Sequence, residues 1–208
     1  MEMVEFLRLN EGIDVNVHQI VFATVLNMFS NVLFSKDVVG LDEELGCNKF
    51  DVQGLRKKHR EMSMKMCALW ETIVEERRKM GKDGLRDQDF LDTLIYKGFT
   101  DDQINKLFEE LLQAGIDTTT STINRTMIEL LNNPESMTKL KKELVASSST
   151  TVAFSPCLGN MPGRRICPGL PMAAKIVPLV VASLIYFHDW SLPEGMHMRH
   201  WKGYSHCS

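Results

Sequence analysis

The chain has 208 residues, with 24 lysines and arginines against 27 aspartates and glutamates, a formal charge of −3. That balance excludes a dedicated nucleic-acid binder, whose footprint is a clear basic excess. A composition 44% hydrophobic and 25% charged is that of a soluble globular chain of one domain or one and a half, not of a disordered one.

The opening segment, MEMVEFLRLNEG, is amphipathic and charged, so it is neither a secretory signal nor an anchor. From Asn16 to Phe34 the apolar residues Val17, Ile20, Val21, Val25, Met28, Phe29, Val32 and Leu33 recur at spacings of three and four, which predicts a buried helix with Asp14 as its N-cap. Between Val38 and Phe50 the pattern dissolves into a loop. A second helix is predicted from about Gln53 to Met80, with Met62, Met66, Leu69 and Ile73 as its seam, and GKDG at 81–84 ends it. The short helix DFLDTLIYKG follows. Thr100, with Gln103 three residues on, then forms a capping box for the longest element.

That element runs from Thr100 to Asn133 without a proline, about 32 residues or roughly 48 Å at 1.5 Å per residue. Its centre holds Gly115 followed by Asp117, Thr118, Thr119, Thr120, Ser121 and Thr122, all mediocre or poor interior helix residues. Two readings stand side by side: a local opening that admits a ligand, or a helix crossing that requires small residues. Asn133 then caps a helix that has Pro134 at its first position. After Leu144 the segment VASSSTTVAF has the composition of a linker or an artificial junction. A Gly/Pro-rich loop leads into an apolar helix from about Leu170 to Phe187, and SLPEGMHMRHWKGYSHCS is expected to be an irregular tail. The longest apolar run, Ile176 to Phe187, is short for a bilayer and contains Pro178 and Ser183, so no membrane span is expected.

Five cysteines (Cys47, Cys67, Cys157, Cys167 and Cys207) form no CxxC pair, which argues against a disulfide framework and for a reducing compartment. One of them sits in a chemically loaded loop, GRRICPG. Cys167 precedes a helix whose positive end and orphan N–H groups favour thiolate over thiol, and a thiolate ligates a soft or borderline metal. Arginines grip carboxylates or phosphates in bidentate fashion. Glycines allow close backbone approach to a flat ligand. Together these features suit an iron porphyrin carrying propionates.

GRRICPG resembles the haem-binding cysteine loop of the cytochrome P450 family, F-x-x-G-x-R-x-C-x-G, and AGIDTT at 114–119 is similar to that family's oxygen-groove motif, A-G-x-D/E-T-T. The wider text, including FDVQGLRKKHREM, DFLDTLI and LLNNPESMTKLKKEL, resembles plant microsomal members. Within them it is most similar to the alkaloid-hydroxylating branch around N-methylcoclaurine 3′-hydroxylase, with the geraniol-hydroxylase-like branch a near neighbour. The resemblance implies a mainly α, incomplete P450 fold: a helical segment over 1–144, a Ser/Thr-rich junction over 145–153, and the cysteine loop, following helix and tail over 154–208.

Carried over residue by residue, the resemblance makes Cys167 the axial thiolate of haem b, whose electron donation favours O–O cleavage. It sets Arg165 against a propionate and lays Gly163 and Gly169 along the porphyrin. On the distal side it gives Ala114 and Gly115 to the groove above the iron, and Asp117 and Thr118 to a water chain that delivers protons toward dioxygen. It implies a monooxygenase of a small alkaloid or terpenoid. Its electrons would come from NADPH through NADPH–cytochrome P450 reductase. The family works at the endoplasmic reticulum membrane surface, whereas this chain, without an anchor, is expected to be cytoplasmic.

The sequence also departs from the pattern. The aromatic residue expected seven positions before the cysteine is Asn160, and Met161-Pro162 replaces small residues, which alters the sulfur's surroundings. The long stretch that the family places between the helix ending near Leu144 and the cysteine loop, with its E-x-x-R pair, is missing. Glu5-x-x-Arg8 and Glu75-x-x-Arg78 match those letters but precede the groove helix and are helix-face charges. These departures predict impaired or absent turnover, the alternative being a haem-binding or non-enzymatic helical remnant. His197, His200, His206 and Cys207 fit no common zinc template. Met62, Met64 and Met66 are packing residues, and the basic run 56–60 is a solvated face.

Overall fold

The computed structural model describes residues 2–40, 68–79, 89–146 and 166–191, and the backbone of 204–207. The helices among them are α1 (Glu2–Leu9), α2 (Val17–Phe34), α3 (68–79), α4 (Phe90–Tyr96), α5 (Asp101–Asn132), α6 (Pro134–Ala146) and α7 (Leu170–Phe187). The mainly α expectation holds. The loop at 41–50, the first half of the second helix with its methionines and basic run, the GKDG stop and the stretch 147–165 lie outside the described residues.

Local chemistry accounts for the helix ends. Asp89 caps α4, its Oδ1 accepting from the Asp92 N–H at 2.9 Å. The other end closes on Gly98, at φ 79°, with the Gly98 N–H donating to the Ile95 carbonyl at 3.0 Å and the Phe99 N–H to that of Leu94 at 3.1 Å. This paired arrangement satisfies carbonyls that the helix leaves open, and it requires the left-handed residue that glycine supplies. Two residues later the predicted capping box forms: the Thr100 N–H donates to Gln103 Oε1 at 3.0 Å, and Thr100 Oγ1 accepts from the Gln103 N–H at 3.4 Å. Asn133 precedes Pro134 as expected, but its side-chain amide turns back and donates to the Glu129 carbonyl at 2.8 Å, closing α5.

Several expectations are corrected. Asp14 lies in a strand, β1 (Asp14–Asn16), and the cap of α2 is Asn16, whose Oδ1 accepts from the Gln19 N–H at 3.3 Å. The tail is not irregular throughout. Backbone 204–207 forms β3 (Tyr204–Cys207), the centre of a three-stranded antiparallel sheet between β1 and β2 (Trp190–Ser191). Backbone pairing across distant segments leaves no periodicity in so short a strand. The apolar run 176–187 is the second part of an 18-residue helix, so both α2 and α7 are long and apolar enough to cross a membrane by length and composition, with 56% and 28% of their residues buried. Core helices of soluble proteins pass the same test.

The chain divides into two compact units, 1–25 with 117–208, and 26–116. In the first, Leu7, Val17, Val21, Ile123, Met127, Leu184 and Ile185 are fully buried, and α1 and α6 each lie against α7. Lys141 of α6 pairs with Asp189 beyond α7. In the second, Phe34, Leu91, Ile104 and Phe108 form the core, with the Phe34 and Phe108 rings 5.8 Å apart. Burying a side chain of this size stabilises by about 1.5–3 kcal/mol. Arg77 of α3 ties this unit's edge together, donating to Asp92 Oδ1 at 2.7 Å, Asp89 Oδ2 at 2.8 Å and the Phe34 carbonyl at 3.2 Å.

Candidate functional site

Helix α5 is unbroken from Asp101 to Asn132, so of the two readings of its centre the local opening of the helix is not present. Two of its threonines bond to their own helix instead: Thr122 Oγ1 donates to the Thr118 carbonyl at 2.8 Å and Thr126 Oγ1 to that of Thr122 at 2.9 Å. Short hydroxyl side chains thus satisfy themselves without breaking the backbone ladder.

The helical period sorts the motif. Ala114, Asp117, Thr118, Ser121, Thr122 and Arg125 are all exposed and follow one another at three- and four-residue steps, which makes one continuous face of small and polar side chains. Gly115 does not belong to it. A Cβ there would come within 2.3 Å of Phe29 Cε1 and 2.5 Å of Cζ, so this glycine admits the Phe29 ring of α2. The crossing reading therefore accounts for Gly115, and the open face accounts for Ala114, Asp117 and Thr118.

The flank of that face is buried and polar. Thr119 and Thr120 are 3% and 1% exposed and Asn124 is 7% exposed. Asn124 Nδ2 lies 2.7 Å from His18 Nδ1 on α2. Burial pushes the His18 pKa below its ordinary value of 6.5, while the Asp117 charge opposes that shift. No motif in the sequence marks this pair. Histidine at the start of an apolar helix has no partner in its own segment, and only the folded chain brings Asn124 to it.

Cys167 is exposed and its thiol is free. It stands just ahead of α7, which has Gly169 as an N-cap without a side-chain bond and Pro171 in its first turn. Three of the N–H groups expected to face the sulfur are engaged by carbonyls instead. Leu170 donates to the Cys167 carbonyl at 3.2 Å, Met172 and Ala173 donate to that of Gly169 at 3.1 and 2.9 Å, and Pro171 has no N–H. A Cβ on Gly169 would meet only Cys167 Sγ, at 3.8 Å. Residues 166–169 therefore present an accessible soft sulfur ligand beside a glycine, a donor that would suit the iron of a porphyrin. Gly163 and Arg165 lie outside the described residues. Among the described residues no group of three or more His, Cys, Asp or Glu side chains could hold a metal ion, and His197 and His200 of the tail are outside them.

The two E-x-x-R matches are surface pairs. Glu5 and Arg8 bond to each other at 2.6 Å. Glu75 pairs with Lys79, and Arg78 turns to Asp101 and to the Phe99 carbonyl.

An exposed cysteine just ahead of an apolar helix, and a face of small and polar residues on the longest helix, are two features that the P450 resemblance calls for. The family model for Cytochrome P450 matches residues 1–162. The chain belongs to the cytochrome P450 family. It is 26% identical to (S)-N-methylcoclaurine 3′-hydroxylase isozyme 1 of Eschscholzia californica, over 96% of this chain and 64% of that protein. Corytuberine synthase of Coptis japonica is 25% identical over 93% of this chain and 62% of its own length. An (S)-N-methylcoclaurine 3′-hydroxylase-like protein of Papaver somniferum is 32% identical over 78% and 43%. The chain thus spans less than two thirds of these relatives. The alignment to the synthase runs over 305 positions against a chain of 208 residues, so the relative carries a long segment with no counterpart here. The matched family region ends before Gly163, whereas an alignment covering 96% of the chain necessarily includes Cys167.

Proposed function

We propose that this chain carries the haem-binding and oxygen-facing elements of a plant monooxygenase acting on a small alkaloid, with a terpenoid as the other substrate class. The observation that carries the reading is the exposed, free Cys167 thiol at the start of α7 in a chain of this family. Bound through that sulfur, haem supplies the activation of dioxygen. By the family resemblance Gly163 and Gly169 would leave room for the ring, and Arg165 would pair with a propionate. On α5, Ala114 lines the open face with no bulk, and Asp117 and Thr118 hold and pass protons there. Electrons come from NADPH through a P450 reductase. The family resemblance puts this work at the endoplasmic reticulum surface.

The long segment of the relatives that has no counterpart in this chain favours reduced turnover over full activity. The experiment is incubation of haem-supplied chain with a plant reductase, NADPH, oxygen and a benzylisoquinoline alkaloid. The reading expects hydroxylated product at a low rate that depends on NADPH and is lost in Cys167→Ser. Haem uptake without product supports the haem-binding remnant, and neither uptake nor product overturns the proposal.

A further inference from the structure

Two buried oxygens on the flank of α5 have no hydrogen-bond partner among the described residues: Thr120 Oγ1 and Asn124 Oδ1. The residues are 1% and 7% exposed. They stand four apart on one helix, which sets their side chains on the same side about 5–6 Å apart at Cβ. Leaving such groups bare is unfavourable, and an ordered water with several polar partners is the usual remedy. Asn124 also reaches His18 Nδ1. Asp117, three residues before Thr120, opens the same stripe to solvent.

We propose that Asp117, Thr120, Asn124 and His18 form a hydrated, proton-holding track along the flank of α5, with His18 Nδ1 as its buried end. The amide of Asn124 makes the end reversible. With His18 neutral, Nδ1 accepts from Asn124 Nδ2. When a proton arrives on Nδ1, the amide turns over and its Oδ1 accepts, with no change in shape. The proton comes from a solvent acid at the open end of the stripe, through water and the Thr120 hydroxyl, leaving that acid's conjugate base in solution and imidazolium at the buried end. Asp117 is the charged group whose field favours that proton on His18. The role of the track in oxygen chemistry rests on the preceding reading of Asp117, but its existence does not.

The test is nuclear magnetic resonance on the full chain labelled with nitrogen-15. The native chain is expected to show a neutral His18 with the proton on Nε2 near neutral pH, and water cross-relaxation at the Asn124 amide. Asp117→Asn, an exposed change, is expected to shift the His18 titration midpoint downward. Thr120→Val is expected to abolish the water signal, whereas Thr122→Val, whose hydroxyl is already bonded within α5, leaves it. An unchanged His18 midpoint in Asp117→Asn, or no water signal in the native chain, overturns the track. A haem spectrum that fails while these signals hold overturns the functional reading and leaves the track standing.

Discussion

The Phe29 ring occupies the space a side chain on Gly115 would need, with Cε1 2.3 Å from the position of a Cβ. Gly115→Ala therefore sets two effects against each other. Alanine gains about 1 kcal/mol of helix propensity, and overpacking costs about 1–3 kcal/mol. The half-buried Phe29 ring swings aside only by giving up its own burial. The expected result is a net loss of about 1 kcal/mol in urea unfolding. Adding Phe29→Leu recovers part of the loss, so the two changes are non-additive; additivity would contradict the contact.

Arg77 is the structural residue that holds the 26–116 unit at its edge. Its side chain is 18% exposed, and its partners Asp89 and Asp92 are 3% and 8% exposed. Burial works against its charge, but the bonds to Asp92 and the fields of both carboxylates outweigh it and raise its pKa. Arg77→Ala leaves two carboxylates buried without their cation. The expected cost is about 3 kcal/mol, the low end for a broken buried pair because Arg77 keeps some solvent. Denaturant unfolding measures it. Arg77→Lys keeps the charge but cannot reach three acceptors as a fork, and should recover less than half.

Stability is expected to fall as the solution is acidified through the histidine range. Burial holds His18 and His188 below their ordinary value of 6.5 in the folded chain, against the opposing pull of Asp117 on one and Glu11 on the other. The unfolded chain therefore binds more protons once the pH drops below about 7, and the slope of unfolding free energy with pH is positive there. The loss begins near the unfolded value and is complete below the depressed folded values. Urea midpoints at pH 7.5, 6.5 and 5.5 should decline in that order. The double variant His18→Gln, His188→Gln should flatten the decline.

Much of this architecture is legible in local chemistry. The Thr100–Gln103 box, Pro134 at the first position of α6 and the bounds of α7 rest on residues within a few positions of one another, and they formed as their types predict. What could not be read depends on distant partners. Asp14 is a plausible cap until β3 claims it for a strand, and Gly115 suits an open groove until α2 brings Phe29 to it. His18, Asn124 and Arg77 carry no motif, because their partners lie 106 residues apart in one case and 43 in the other. The site was legible in its letters and less so in its surroundings: Cys167 is accessible, yet three of the N–H groups meant to face its sulfur are engaged by carbonyls.

The central claim is that Cys167 binds haem as a thiolate, and the most direct measurement is the reduced carbon-monoxide difference spectrum of the full chain supplied with haem. The account predicts a thiolate-type Soret band at the position usual for the family, lost on Cys167→Ser while circular dichroism retains the helical signal. A chain that takes up no haem, or one whose spectrum is the same with serine at 167, would contradict it.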